Sequence, residues 1–271
     1  MINNLRFELS FKNIIQLEQK LKFCESNKIN KINIPCKGII KKDFLNETVE
    51  FIGKNYKEID VIYHYSLYHQ YVKNRKDSYL ELLNFIKNCN SYQKNDILLV
   101  SGSNKKKNFD VINVMSDLEK EKKININIGI AYNPYLKYFN IFNERDRFEK
   151  KISSGLTKSI WLQFGTDIKL LKSEISYLKK SIFNNLSQTK YQNVKFFGSI
   201  LIPSRQFLAR FKFRPWNGVY ISDQYLSSLD NFSYFSKDLI NFYFDNNITP
   251  VIETECSSLE QLQDIYSLLK F

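Results

Sequence analysis

The chain has 271 residues, of which 43% are hydrophobic and 25% charged. This composition supplies a sizeable apolar core and excludes intrinsically disordered and coiled-coil proteins, while only 8 Gly and 5 Pro exclude collagen-like sequences. No uncharged apolar run approaches the roughly 18 residues of a membrane span, and residues 1–8 carry no signal-peptide core. We therefore expect a cytoplasmic protein with no membrane partner.

The charge is strongly basic, with 40 Lys and Arg against 28 Asp and Glu and a formal net charge of +12. Such a balance suits proteins that bind nucleic acids, anionic membranes or acidic small ligands. However, the Lys residues are scattered, and the chain is rich in residues of A/T-rich codons, which favours compositional bias. We expect no nucleic-acid partner, and a basic, non-catalytic binding protein remains an alternative.

The metal-ligating residues are few and poorly spaced. None of the 4 Cys forms a C-x-x-C pair, and there are only 2 His. A structural zinc site needs four ligands in paired spacing, so we predict no metal and four reduced, buried thiols.

Short β-rich runs alternate with helical patterns along the whole chain. The predicted strands are 5–10, 31–35, 59–66, 96–102, 125–133, 159–165, 194–203 and 249–256. The predicted helices are 13–26, 43–56, 78–89, 109–122, 142–154, 168–186, a broken region 204–246, and 257–269. Ser257 with Glu260 three residues later predicts a capping box for the last helix.

Eight strand–helix units in this order predict a single (β/α)8 TIM barrel. The strands are mostly continuous apolar runs, as in Ile97–Val100, which parallel strands covered on both faces require. An open doubly wound sheet is the alternative, but no G-x-G-x-x-G follows the first strand. No linker divides the chain, so we expect one domain over residues 1–271 and no regulatory domain.

The chemistry of such barrels lies at the carboxyl ends of the strands. Polar and small residues follow the predicted strands at these ends. They are Glu8, Cys36, His64, Ser66, Ser101, Gly102, Ser103, Ala131, Asn133, Gln163, Ser204, Arg205, Glu253, Glu255 and Cys256.

Several of these residues fall in motifs that resemble the methylenetetrahydrofolate reductase family. Residues 129–135 read GIAYNPY, like the family's G-x-A-x-N-P, and lead into a segment with Glu144, Arg147, Lys150, Lys151 and Gly155 at the spacing of its next helix. Residues 160–167 (IWLQFGTD) resemble I-x-T-Q-x-x-F-D, and residues 197–211 resemble G-x-x-x-L-x-S-x-x-x-A-x-F. Upstream, Phe7-Glu8 and His64-Tyr-Ser66 match an opening F-E and an H-x-T. The matches keep their order over nearly the whole chain.

The resemblance implies a TIM barrel that binds FAD, with FMN left open, and that passes a hydride from NAD(P)H to 5,10-methylenetetrahydrofolate. Glu8 matches the general acid. The positions that match substrate contacts are Gln163, Ser103, Ser204 and Arg205. The positions that match flavin contacts are His64, Ser66, Ser101, Gly102, Ala131, Asn133, Glu144, Arg147, Lys150 and Lys151. The expected partners are a folate and a nicotinamide cofactor, and a homo-oligomer is left open.

One departure from the family bears on the reaction. The fourth strand of the family ends in Gly-Asp, whereas this chain reads Ser101-Gly102-Ser103 and lacks the acid. A second hypothesis therefore stands beside the first, in which a reductase-like barrel binds a folate but has lost the flavin or changed its reaction.

Overall fold

The computed structural model describes residues 4–36, 42–102, 109–121, 125–185 and 194–269. Its eight strands form a closed parallel barrel in sequential order, so the predicted TIM barrel is confirmed. The strands are β1 (Arg6–Glu8), β2 (Lys31–Ile34), β3 (Asp60–Ser66), β4 (Asp96–Val100), β5 (Asn127–Tyr132), β6 (Thr157–Leu162), β7 (Lys195–Ile200) and β8 (Ile248–Ile252).

Ten α-helices are found in the described part of the chain. They are α1 (Ile14–Ser26), α2 (Lys42–Asn55), α3 (Arg75–Ser91), α4 (Val111–Glu119), α5 (Glu144–Ile152), α6 (Ile168–Asn185), α7 (Arg205–Phe213), α8 (Asp223–Ser227), α9 (Leu229–Asp245) and α10 (Leu259–Leu269). The broken region 204–246 is thus three helices, α7 to α9. Most predicted strands are too long because the apolar pattern continues into the loops that leave them.

Polar side chains fix where the helices begin. Asn13, Asn74 and Asp110 each accept a hydrogen bond from the backbone N–H three residues later and so cap α1, α3 and α4. The predicted capping box is displaced by one residue. Ser258 accepts from Gln261 N at 3.2 Å, and Gln261 Oε1 accepts from Ser257 N at 2.8 Å, so Ser258 and not Ser257 is the N-cap.

The chain forms two compact units, with one boundary directly before β1, one within β5, one after α5 and one within β6. The first unit comprises residues 6–130 and 154–159. It contains β1 to β4, whose parallel register pairs Glu8 with Asn33 and His64 with Leu98. Buried apolar side chains on α1 to α4, such as Leu17, Leu82 and Val114, form the outer layer of its core.

The second unit comprises residues 131–153 and 160–271, together with the first five residues. It contains β7 and β8, and helices α5 to α10. Its core is rich in aromatic side chains: Phe164 stacks on Phe232 with ring centroids 5.9 Å apart, and Trp161 stacks on Phe197 at 4.3 Å.

Candidate active site

The first strand places two charged residues on one face, because side chains two residues apart in a strand point the same way. Arg6 is the residue nearer the amino end of β1, and it is 3% exposed. Its guanidinium donates to Asn33 Oδ1 at 2.9 Å, Asp60 Oδ2 at 2.9 Å and Ile32 O at 2.8 Å. The buried charge of Arg6 is therefore compensated at the amino end of the strands, and Glu8 lies at the carboxyl end.

Glu8 lies close to the only histidine among the strand residues. Glu8 Oε2 is 4.0 Å from Nδ1 of His64, and the side chains of Glu8 and His64 are 9% and 14% exposed. Glu8 is the last residue of β1, and His64 lies near the carboxyl end of β3. The first unit thus brings together the residue predicted as general acid and a group that can exchange a proton with it.

Three small residues surround the ends of β3 and β4. Ser66 is 1% exposed, and its Oγ accepts from His69 N at 3.3 Å. Gly102 has φ +85°, and a Cβ added there would lie 2.5 Å from Tyr68 Cβ and 3.2 Å from Ser66 Oγ. Ser101 Oγ accepts from Val111 N at the start of α4. Ser103, a predicted substrate contact, lies outside the described residues.

A thiol–amide pair lies near the end of β2, where the sequence predicts Cys36 at a strand end but gives no sign of its partner Gln70. Gln70 Nε2 donates to Cys36 Sγ at 3.3 Å, and Gln70 and Cys36 are 2% and 8% exposed. Burial raises the pKa of the Cys36 thiol, opposed by hydrogen bonds from Ser66 and Gln70. Cys36 is therefore a protonated thiol at neutral pH. Gln70 follows β3 by four residues, where no sequence pattern marks it.

In the second unit, Asn133 has both ends of its amide engaged by the protein. Its Nδ2 donates to Gly218 O at 2.8 Å, and its Oδ1 accepts from Tyr135 N at 2.9 Å. Asn133 therefore ties the loop after β5 to the loop after α7. Gly218 has φ +81°, and a Cβ there would lie 3.2 Å from Asn133 Nδ2.

The helix α5 carries four of the ten predicted flavin contacts, and these fall into two groups. Lys151 is 4% exposed, and its Nζ donates to Ala131 O at 2.8 Å and lies 3.4 Å from Glu144 Oε1. Arg147 Nη1 lies 3.4 Å from the other oxygen of Glu144. Lys151 and Glu144 thus form a buried pair at the end of β5, whereas Lys150 is exposed and Arg147 is half-buried.

The predicted substrate contacts of the second unit also follow strands. Gln163 comes directly after β6; its backbone N–H donates to Tyr132 O at 3.0 Å, and its side-chain Oε1 accepts from Phe164 N at 2.9 Å. Ser204 caps α7 by accepting from Phe207 N at 3.0 Å. Arg205 is exposed in the first turn of α7.

The described ranges lack both a metal-binding cluster and a membrane-spanning helix. These residues contain no group of three or more His, Cys, Asp or Glu that could hold a metal ion. They also contain no helix with the length and apolar character needed to cross a membrane.

No protein-family model matches the chain, and no curated protein matches it. Solved structures do match. One is an uncharacterized protein from Clostridium thermocellum, described as binding two copies of 5-methyl-5,6,7,8-tetrahydrofolic acid; it is 16% identical, covers 98% of this chain and 93% of its own, and has a TM-score of 0.67.

Two enzymes show the same barrel at lower similarity. The catalytic domain of a chitinase from Pyrococcus furiosus is 8% identical over 92% of this chain and 83% of its own, with a TM-score of 0.56. A thermostable aldo-keto reductase is 11% identical over 99% and 90%, with a TM-score of 0.54. At these identities the similarity shows a common fold. The chain is thus a TIM barrel whose motifs resemble those of methylenetetrahydrofolate reductases, and the fold implied by that resemblance is the one observed.

Proposed function

We propose that the chain binds a reduced folate at the carboxyl ends of its strands and reduces a one-carbon unit on it, with Glu8 as the general acid. The observation that carries this proposal is the largely buried Glu8–His64 pair at the ends of β1 and β3. It is supported by the order of the reductase-like motifs and by the folate bound to the Clostridium thermocellum protein.

The chemistry requires a proton before a hydride can be accepted. In 5,10-methylenetetrahydrofolate one carbon bridges two nitrogens and is a poor electrophile. Glu8 donates its proton to one nitrogen, the bond from that nitrogen to the bridging carbon breaks, and an iminium ion remains on the other nitrogen. Hydride addition to this carbon gives the methyl group of 5-methyltetrahydrofolate. A positioned carboxylic acid suits the first step, and His64 is close enough to exchange protons with Glu8 after a small movement.

The flavin implied by the resemblance fits some residues of the chain but not all. In the first unit, Ser101 and Gly102 are small residues after β4, but Tyr68 already covers the Cβ side of Gly102, since a Cβ added there would lie 2.5 Å from Tyr68 Cβ. In the second unit, half-buried Arg147 and exposed Lys150 of α5 are the cations that would balance phosphates, whereas the exposed Arg145 is paired with Glu174. When bound, a flavin supplies hydride chemistry between a nicotinamide and an electrophilic carbon. FAD and NAD(P)H are the proposed cofactors.

A second candidate function is folate binding without flavin chemistry. It is favoured by Asn133 and Lys151, two predicted flavin contacts whose side-chain atoms bond to Gly218 O, Tyr135 N and Ala131 O. It is also favoured by the absence of the family's acid after Gly102.

The test measures folate binding and flavin content separately. The purified protein is titrated with 5-methyltetrahydrofolate by calorimetry, and its absorbance spectrum is recorded, since oxidised flavin absorbs near about 450 nm. Folate binding with a flavin band and with NAD(P)H-dependent folate reduction supports the first function. Folate binding without flavin, after incubation with FAD and with FMN, supports the second. Absence of folate binding would reject both.

A further inference from the structure

The region around α7 has an unusual charge distribution. No Asp or Glu occurs in the sequence between Glu174 and Asp223, whereas Arg205, Arg210, Lys212 and Arg214 lie in or directly after α7. All four cations are exposed. No carboxylate of the described residues forms an ion pair with Arg210, Lys212 or Arg214. This surface is therefore positive, and Arg210, Lys212 and Arg214 are not paired with a carboxylate in the part of the chain that the structure describes.

Exposed aromatic residues lie at the end of the same helix. Leu208 and Phe211 bury one side of α7, but Phe213, its last residue, is 93% exposed. Arg214 and Pro215 are exposed as well, and Trp216 is 47% exposed. We call residues 213–216 together with Arg210 and Lys212 the α7 tip.

The α7 tip is anchored to the second unit by aromatic packing. The Trp216 ring meets Phe207 edge-on at 5.5 Å between centroids and Phe211 at 6.1 Å. Phe207 in turn packs on Phe232 of α9 at 5.8 Å. The tip thus displays Phe213 from a packed base, and that exposed ring is not needed for this packing.

We propose that the α7 tip binds an anionic lipid surface, with Phe213 entering the headgroup region and Arg210, Lys212 and Arg214 contacting lipid phosphates. An apolar ring surrounded by cations matches the two attractions that hold peripheral proteins on anionic bilayers. Trp216, which is half-exposed, suits the interface between headgroups and water. This proposal replaces the expectation of no membrane partner and does not depend on folate binding.

A single-stranded nucleic acid fits the same surface less well. Such ligands need several aromatic faces on which successive bases stack. Only Phe213 offers an open ring here, because Trp216 packs against Phe207 and Phe211. A lipid surface needs no second stacking face.

The experiment uses the full chain and vesicles of two compositions, pure phosphatidylcholine and equal parts of phosphatidylcholine and phosphatidylglycerol. In co-sedimentation, the wild type is expected to bind the anionic vesicles and to be released by salt. Phe213→Ser should weaken binding about tenfold, because serine has no apolar ring to bury in the lipid headgroup region. The triple variant R210Q/K212Q/R214Q should weaken it by about fivefold for each cation removed.

Matched controls separate the tip from general charge and apolarity. K22Q/K54Q/K87Q removes three exposed cations elsewhere and lowers the net charge by the same amount. Phe142→Ser removes another ring, one that is 78% exposed. Both controls should bind nearly as the wild type does, and circular dichroism checks that every variant is folded.

Tryptophan fluorescence locates the contact. The chain has 2 Trp, and Trp161 is 7% exposed. Vesicles that contain brominated lipid should quench the wild type, and Trp216→Phe should abolish the quenching. The proposal is overturned if the wild type ignores anionic vesicles, if the control triple variant loses as much binding as the tip variant, or if quenching survives in Trp216→Phe. It is also overturned if a labelled oligouridylate binds through the tip and vesicles do not.

Discussion

Arg6 and Glu8 point from the same face of β1 but have different neighbours. Arg6 donates to Asn33, Asp60 and Ile32, so it is held in place as a structural cation. Glu8 lies two residues further along the strand, at its carboxyl end, and its Oε2 is 4.0 Å from His64 Nδ1. Glu8 is thus a carboxyl group beside a histidine at a strand end, and a positioned carboxyl group is one of the side chains that act as general acids.

Glu8→Gln tests the proposed proton donor. We expect the variant to keep its fold and any flavin and still to accept hydride from NAD(P)H. Folate reduction should fall by about 10²–10⁴-fold, the usual contribution of general acid catalysis, because an amide cannot donate an acidic proton. Stopped-flow assays of the two half-reactions measure this, with Glu119→Gln as a control for loss of an exposed carboxylate. Equal losses in both half-reactions would assign Glu8 a structural role.

Gly102 and Gly218 offer a matched pair for backbone strain. Both have positive φ, +85° and +81°, so alanine at either position should cost about 1–2 kcal/mol in free energy of unfolding. At Gly102 the new Cβ would also lie 2.5 Å from Tyr68 Cβ, whereas at Gly218 its nearest neighbour is 3.2 Å away. Gly102→Ala should therefore cost about 1–3 kcal/mol more. Urea unfolding of both variants measures the difference, and equal costs would contradict the predicted clash.

At the scale of elements, the start of α6 depends on Asp167. Its Oδ1 accepts from Leu170 N at 2.9 Å, and its Oδ2 accepts from Tyr138 OH at 2.5 Å. Burial opposes ionisation, but these hydrogen bonds and the nearby Lys137 hold the pKa of Asp167 below its usual value. The bond to Asp167 also raises the pKa of Tyr138 to about 12. A single carboxylate therefore joins α6 to the loop after β5.

Asp167→Ala should lower the free energy of unfolding by about 1 kcal/mol, the usual cost of losing an N-cap. Because the folded-state pKa is depressed, the stabilisation should be fully present above the unfolded pKa of about 3.9 and should disappear as the pH falls through the folded value. Urea unfolding of wild type and variant from neutral to acidic pH measures this. As a control, Tyr138→Phe keeps the cap and should lower the free energy of unfolding by less than Asp167→Ala does. If the difference in free energy of unfolding between wild type and Asp167→Ala did not change with pH, Asp167 would not be the ionised cap proposed here.

The alternation of apolar runs and helical patterns was sufficient to predict all eight strands and their order, because each strand is buried and each helix has one apolar side. The ends were predicted less well. The sequence favours Ser257 as the N-cap because Glu260 follows it by three residues. In the structure Ser258 is the N-cap, and Gln261 is the side chain that accepts from Ser257 N. Gln70 beside Cys36 could not be predicted, since a contact between loops of different strands leaves no local pattern.

At the scale of the whole molecule, the chain forms two compact units, yet two of their boundaries lie inside strands. One boundary lies between Ile130 and Ala131, inside β5, and another between Ser159 and Ile160, inside β6. A strand cannot lose half of its residues without breaking its ladder of hydrogen bonds. The two units should therefore unfold together, as the predicted single domain requires.

The four cysteines can test this cooperativity. Cys24, Cys36 and Cys89 belong to the first unit and Cys256 to the second, and all four are buried free thiols. Burial also raises the pKa of Cys36 and Cys89, which lowers their thiolate fraction. We expect a thiol reagent to label none of them rapidly in the native protein. With increasing urea, all four should become reactive over one transition, at the midpoint given by circular dichroism. Mass spectrometry of labelled peptides assigns each thiol. Labelling of Cys256 at a urea concentration that still protects Cys24 and Cys89, or the reverse, would show that the units unfold separately and that the single-domain prediction is wrong.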